Sequence, residues 1–341
     1  MTRLGIALQG VAGRNGFSTG VLYAFRKAKI KPEMISFTSG ALHAVTCYLN
    51  KDIETAPQFY EQFENYFQIN PFMPRMEGGV ELLKAFLRAE RTLEKNCIRP
   101  AFFWEKFSFS DPISTFVDFL ENPMSWWFET IFSSKLLTLT TDMKFFEEAF
   151  ELIEGSKIGI LTNSYDYEKN KTIIYMNSAA LKKLKNTRYT LGEHEHFEVK
   201  FISPEGLRSC LHILQFGAPY ANEYDGAYQF NPYLPPVKIC DKIIIVSATS
   251  LLKKRKPIST LFDIEEFKLN MLLTNAIYSE LANIDLINHL IDKKIVTDKS
   301  LHKIDIKILE PSFALGPLDY FIENKDHFLD GMAQANKLIQ N

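Results

Sequence analysis

Long apolar runs are absent from this chain of 341 residues. No stretch reaches the roughly 18 apolar residues that a membrane-spanning helix needs. The N-terminal apolar stretch after Met1-Thr2-Arg3 soon meets glycines and lacks a small-residue cleavage site, so no secretory signal is expected there. Cysteine is scarce: Cys47, Cys97, Cys210 and Cys240 lie far apart and form no CxxC pair. That spacing excludes a disulfide framework and a zinc ribbon and fits buried, reduced thiols. Charge of one sign is lacking as well, with a formal net charge of -2, which argues against a nucleic-acid partner. No internal repeat, low-complexity segment or clear linker occurs. The expectation is a cytoplasmic protein with one elaborated domain over 1–341.

What is present is apolar and aromatic. Hydrophobic residues make up 46% of the chain and charged residues 23%, enough for a sizeable core and too apolar for disorder. The aromatics concentrate before residue 150, in Phe59, Tyr60, Phe63, Tyr66 and Phe67, then Phe102 to Trp104, then Trp126 to Phe128. Phe59, Phe63 and Phe67 share one face of a helix. Such a face serves either as an ordinary helical core or as a lipid-facing lid or acyl groove.

Residues 5–8 form a short apolar strand that enters a glycine-containing turn. From Ser18 the spacing of Val21, Leu22, Phe25 and Ala28 is helical. A second strand over 33–37 and a second helix over 40–49 complete a βαβ start to a largely parallel sheet. Residues 55–150 read as a helical insertion or lid, broken by prolines. Strands return at 157–161, 171–176 and 197–202, with 163–170 as a polar hairpin loop. The apolar run over 241–246 suits a strand covered on both faces. From 264 to 341 the pattern is that of a C-terminal helical extension.

Acyl transfer needs a nucleophile on a tight strand-to-helix turn, N–H groups aimed at a developing oxyanion, and a base. Three stretches offer these parts. Gly10-Val11-Ala12-Gly13-Arg14 exposes N–H groups at a helix N-terminus. A nucleotide loop or a plain turn fits it too, although no Lys-Ser/Thr follows as a Walker loop requires. Ile35-Ser36-Phe37-Thr38-Ser39-Gly40-Ala41 runs from a strand into a helix of small residues, the layout of a nucleophile elbow or of an N-cap serine. Asp225-Gly226, in a proline-rich loop ahead of a strand, is a candidate base or a simple turn.

Taken in this order, the three stretches resemble the patatin-like phospholipase family, including its bacterial members. Residues 8–14 are similar to its oxyanion motif, 35–44 to its GxSxG elbow, and Asp225-Gly226-Ala227 to its DG[AG] motif. Asn275, Glu280 and Leu281 extend the resemblance weakly. It implies a three-layer α/β/α fold and a Ser–Asp dyad that cleaves fatty-acyl esters of lipids with no histidine, metal or cofactor. In it Gly10, Val11, Ala12, Gly13 and Arg14 form the oxyanion site, Asp225 is the base, and Gly40 and Gly226 support.

The chain departs from that pattern at the chemistry. The glycine triplet is Gly10-Val11-Ala12, and valine restricts the backbone. Counting from the strand places Ser39 at the nucleophile position; counting back from the helix places Thr38 there. Threonine tolerates a strained backbone less well, which favours Ser39 with Thr38 as the alternative. Loss of hydrolysis, leaving a lipid-binding or interaction module, also fits the thinned loop. His194 and His196 read as surface hairpin residues, and His43 as a packed helix residue near the elbow. Two basic clusters, 182–185 and 253–256, suit either solvated faces or peripheral contact with anionic lipid. Nucleotide binding is disfavoured because the second strand ends in Ser36-Phe37 without an acidic residue for a ribose.

Overall fold

A computed structural model of the chain describes residues 3–10, 15–61, 98–100, 137–139, 141–184, 192–193, 195–214, 217–232, 234, 239–249, 261–295, 302–312 and 325–340. The first strand and helix, β1 (Leu4–Leu8) and α1 (Asn15–Lys27), are followed by β2 (Met34–Phe37) and α2 (Ala41–Leu49). A 3-10 turn over Lys51–Thr55 leads into α3 (Ala56–Glu61). Two short strands, β3 (Ile98–Pro100) and β4 (Leu137–Leu139), pair antiparallel with each other. Then come α4 (Met143–Glu154), β5 (Gly159–Asp166), β6 (Lys171–Met176), α5 (Ser178–Leu184), β7 (Gly192–Glu193) and β8 (Phe197–Phe201). The chain continues through α6 (Pro204–Ser209), β9 (Glu223–Asp225), β10 (Lys242–Val246), α7 (Leu261–Asp292), β11 (Asp305–Leu309) and α8 (Lys325–Gln340).

Nine strands form one sheet in the order β11-β10-β1-β2-β5-β6-β8-β7, with β9 paired to β5 off this path. Strands β11 through β5 are parallel to their neighbours, and so is β8 to β6. The β5–β6 and β7–β8 pairs are antiparallel.

Alternation along the strands sends side chains to two faces. Ile6, Leu8, Ile35, Phe37, Ile160, Ile244 and Val246 pack on one face against Phe17, Val21 and Phe25 of α1, Leu42 and Val45 of α2, and Phe146 and Ile153 of α4. Ala7, Met34, Leu161, Ile174, Ile243 and Ile245 pack on the other against Ala180 and Leu184 of α5 and Ile284 of α7. The result is the expected three-layer α/β/α sandwich with a mostly parallel sheet. Each fully buried Leu, Ile or Phe contributes about 1.5–3 kcal/mol of apolar transfer, so this double-sided core sets the sheet that carries the site.

The last helix lies against the first at backbone distance. A Cβ on Gly20 of α1 would sit 2.0 Å from the Phe328 carbonyl oxygen, and one on Gly331 of α8 would sit 2.1 Å from that of Phe17. Glycine is what lets the two helices meet.

Most predicted elements fall within a residue or two of those observed. Strand β5 is longer than expected: it runs through Asp166, so the polar loop predicted over 163–170 shrinks to its last residues. The segment 264–341, read as a helical extension, also supplies the edge strand β11. Much of the segment 55–150 read as an aromatic insertion or lid, including Phe63, Phe67 and 101–136, lies outside the described residues. The basic cluster 253–256 lies outside them too. In the other basic cluster, Lys183 is committed to an ion pair with Glu33 at 2.8 Å. Among the described residues no helix is long and apolar enough to cross a membrane.

Candidate active site

Strand β5 changes partner along one edge, and this brings the two predicted chemical segments together. Its first half pairs parallel with β2, ending at Phe37 opposite Thr162. Its second half pairs antiparallel with β9, ending at Asp225 opposite Ser164. Because β2 and β9 run in opposite directions along β5, their C-terminal ends face each other two residue steps apart along β5, a gap of about 7 Å with Asn163 between them. Thr38 and Ser39 leave one end, and Gly226 leaves the other.

The turn after β2 is strained where a nucleophile elbow requires it. Ser39 has φ 52, in the left-handed region. The other non-glycine residues at positive φ, Lys29, Asn170, Ala221, Asn222 and Lys294, are exposed, so among the described residues Ser39 alone holds this conformation while buried. Left-handed backbone costs a non-glycine residue about 1 kcal/mol or more and persists where the surroundings dictate it. The N–H groups of Ala41, Leu42 and His43 close onto the carbonyls of Thr38, Ser39 and Gly40, starting α2 directly behind the serine. The positive end of α2 is thereby aimed at the Ser39 turn.

The two candidate hydroxyls are used differently. Thr38 Oγ1 donates to Asn163 Oδ1 at 2.9 Å and approaches the Phe230 carbonyl at 3.3 Å. It is fully buried and committed to the scaffold. Ser39 instead lies beside Asp225, whose charged form its hydroxyl favours.

Asp225 is completely buried. Burial pushes its carboxyl up from the ordinary range to about 7, against the opposing pull of the Ser39 hydroxyl and the Ala227 N–H. Its Oδ1 accepts from Ala227 N at 2.9 Å, capping the short 3-10 turn Gly226–Tyr228. Its Oδ2 makes no hydrogen bond of ordinary length and angle. The Ser39 hydroxyl is thus near enough to favour the charged carboxylate without completing such a bond.

The strand that carries Asp225 is anchored by Glu223, two residues back and on the same face. The buried Glu223 carboxylate accepts from Ser164 Oγ at 2.5 Å, from Tyr175 Oη at 2.8 Å and from Lys200 Nζ at 3.2 Å.

Gly10 stands at the mouth of the glycine-containing turn, against the serine turn. Its N–H donates to Asn231 Oδ1 at 2.8 Å and its carbonyl accepts from Asn231 Nδ2 at 2.9 Å. That N–H, expected to face an oxyanion, is therefore spent on the loop that follows Asp225. Gln9 clamps the same end of β1 to the end of β10 through Ser247 Oγ and the N–H groups of Ala248 and Thr249. Val11, Ala12, Gly13 and Arg14 lie outside the described residues. The Gly40 N–H donates to no backbone carbonyl among the described residues.

Two site residues escaped the sequence reading. Asn163, expected in a polar loop because it directly follows an apolar strand, lies fully buried in β5. Asn231 carried no signal beyond its place beside Pro232. Of the histidines, His43 stacks on Phe145 at 4.9 Å, and burial lowers it to about 4, leaving it neutral. His196 is exposed, and His194 lies outside the described residues. Among the described residues no group of three or more His, Cys, Asp or Glu side chains is arranged to hold a metal ion.

The fold and site define an α/β/α protein with a strained serine turn set beside a buried aspartate. Among solved structures it is similar to VipD from Legionella pneumophila, at 11% identity and a TM-score of 0.32, over 98% of this chain and 67% of that one. No family model matches the chain, and no curated protein matches it.

Proposed function

We propose that this protein is a serine acyl hydrolase acting on fatty-acyl esters of lipids through a Ser39–Asp225 dyad. The observation that carries the reading is the buried left-handed backbone at Ser39 beside a buried carboxyl raised to about 7. Strain of this kind has no packing benefit of its own and is characteristic of a nucleophile held on a tight strand-to-helix turn. A base with a pKa near working pH can both take and return a proton.

In this reading Ser39 Oγ attacks the ester carbonyl carbon while Asp225 Oδ2 takes the hydroxyl proton. The tetrahedral oxyanion rests on the Gly40 N–H and the positive end of α2, with Val11, Ala12, Gly13 and Arg14 as further donors by resemblance. Gly10 contributes close approach rather than its N–H. Asp225 then protonates the departing alkoxide, leaving an acyl-serine. Water, deprotonated by Asp225, attacks the acyl carbon and releases the acid, and the proton returns to Ser39. The lipid class rests on the motif resemblance and on the aromatic content before residue 150. Peripheral membrane contact belongs to the same reading.

Purified protein incubated with a fluorophosphonate probe is expected to carry the adduct on Ser39, mapped by mass spectrometry. Hydrolysis of nitrophenyl esters and phospholipid vesicles is expected to vanish in Ser39→Ala and Asp225→Ala. An adduct on Thr38, or hydrolysis that survives Asp225→Ala, sinks the dyad. Lipid binding without turnover is the second reading, favoured by the Gly10 N–H being spent on Asn231. It predicts vesicle binding with no adduct at all.

A further inference from the structure

Asn163 lies at the point where β5 stops pairing with β2 and begins pairing with β9. Thr162 is the last residue opposite β2, and Ser164 is the residue opposite Asp225. The side chain is fully buried, and both its amide oxygen and its amide nitrogen bond across the seam. Its Oδ1 accepts from Thr38 Oγ1 at 2.9 Å, on the residue before the candidate nucleophile. Its Nδ2 donates to the Gly226 carbonyl at 3.0 Å and to the Phe230 carbonyl at 3.2 Å, on the loop that follows the candidate base. The approach is tight: a Cβ on Gly226 would fall 2.1 Å from Asn163 Nδ2.

We infer that Asn163 is a positioning residue of the hydrolytic site, holding the Ser39 turn and the Asp225 loop at a fixed separation without touching substrate. The inference rests on the dyad reading above. The physical need is plain. Strands β2 and β9 are each bonded to β5 but not to each other, so the gap between their ends has no ladder of its own. An amide fills it because it offers a donor and an acceptor at once, matching a hydroxyl on one side and two carbonyls on the other. Aspartate would lose the donors and set a charge against two carbonyl oxygens. Leucine has nearly the same shape but leaves the Gly226 and Phe230 carbonyls without this donor and Thr38 without this acceptor.

A brace that served only the fold would lower stability and leave the chemistry of each folded molecule unchanged. A positioning residue changes the chemical step, since a displacement of about 1 Å between reacting groups costs on the order of 100-fold. The test is fluorophosphonate labelling of the full chain, separated into probe affinity and inactivation rate from pH 5 to 9, for wild type, Asn163→Leu, Thr38→Val and Thr38→Ser. The expected result for Asn163→Leu is an inactivation rate about 100-fold lower with probe affinity within about threefold. Its pH midpoint is expected below the wild-type value, because a loosened seam admits water to the carboxyl.

Thr38→Val, which breaks the same bond from the other side, is expected to slow labelling more than Thr38→Ser. The double variant Asn163→Leu/Thr38→Val is expected to be only slightly slower than Asn163→Leu alone, since the Thr38–Asn163 bond is already lost in the single variant. If Asn163→Leu does not fold, the Thr38→Val and Thr38→Ser pair decides by rate and pH midpoint. Wild type that labels on Ser39, with variants unchanged in rate and midpoint, overturns the role of Asn163 and leaves the dyad standing. Wild type that does not label on Ser39 overturns both.

Discussion

Gly10 lies against the Ser39 turn with no room for a side chain: a Cβ built on Gly10 would lie 2.6 Å from Ser39 Cβ, and 1.9 Å from the Thr38 carbonyl oxygen. Neither neighbour can retreat, because Thr38 is tied to Asn163 and the Ser39 carbonyl is held by the Leu42 N–H in the first turn of α2. Gly10→Ala is therefore expected to destabilise the protein by about 3 kcal/mol or more, at the upper end of overpacking costs. Chemical denaturation of the two proteins measures it. A loss below about 1 kcal/mol would mean the two turns are not in contact.

The strain at Ser39 inverts an ordinary rule. Glycine usually destabilises relative to alanine, but at φ 52 only glycine is relaxed. Ser39→Gly is expected to be more stable than Ser39→Ala by about 1 kcal/mol, with both inactive. Thermal melts of the two variants side by side provide the check; the opposite order would remove the strained turn from the account.

Two pH dependences follow from the Asp225 carboxyl raised to about 7. Ester hydrolysis should rise with pH through a midpoint near 7, since the base works only when ionised. Stability should do the reverse. A carboxyl with a folded value above its unfolded 3.8 favours the fold while protonated, and that contribution is lost as pH rises through 7. Asp225→Asn does not titrate. Its advantage over wild type should therefore widen from pH 5 to 8, toward an upper limit on the order of 4 kcal/mol at 1.36 kcal/mol per pKa unit. A gap that stays constant across that range would place the carboxyl in water.

A second close approach joins the last helix to the first. Gly331→Ala pushes a methyl to 2.1 Å from the Phe17 carbonyl oxygen, where α8 meets α1. The expected outcome is a loss of about 1–3 kcal/mol in stability, measured by chemical denaturation.

The architecture was legible where local signals and tertiary fate coincide. Strands such as 241–246 are apolar because both faces of the sheet are covered, and the helix over 40–49 is announced by its small residues. The choice between Ser39 and Thr38 was not legible, because it depends on a dihedral angle and on where a hydroxyl points. Composition records neither. Asn163 was misread for a related reason: its three partners lie more than sixty residues away in the chain, at Thr38, Gly226 and Phe230. A polar residue looks like a loop until those partners are known. Strand β11 was hidden between two helices, its five residues too few to stand out from a helical background.

The anchoring of Glu223 bears on how much error the site tolerates. Side chains along a strand alternate faces, so a slip of β9 by one residue against β5 would turn Asp225 away and offer Tyr224 or Gly226 in its place. Backbone hydrogen bonds of so short a strand discriminate weakly between neighbouring registers. A carboxylate that must meet Ser164, Tyr175 and Lys200 together discriminates strongly, because a slipped register strands a buried charge. Glu223 thus acts as an indexing pin, and the fidelity of the base's placement is decided two residues upstream of the base itself.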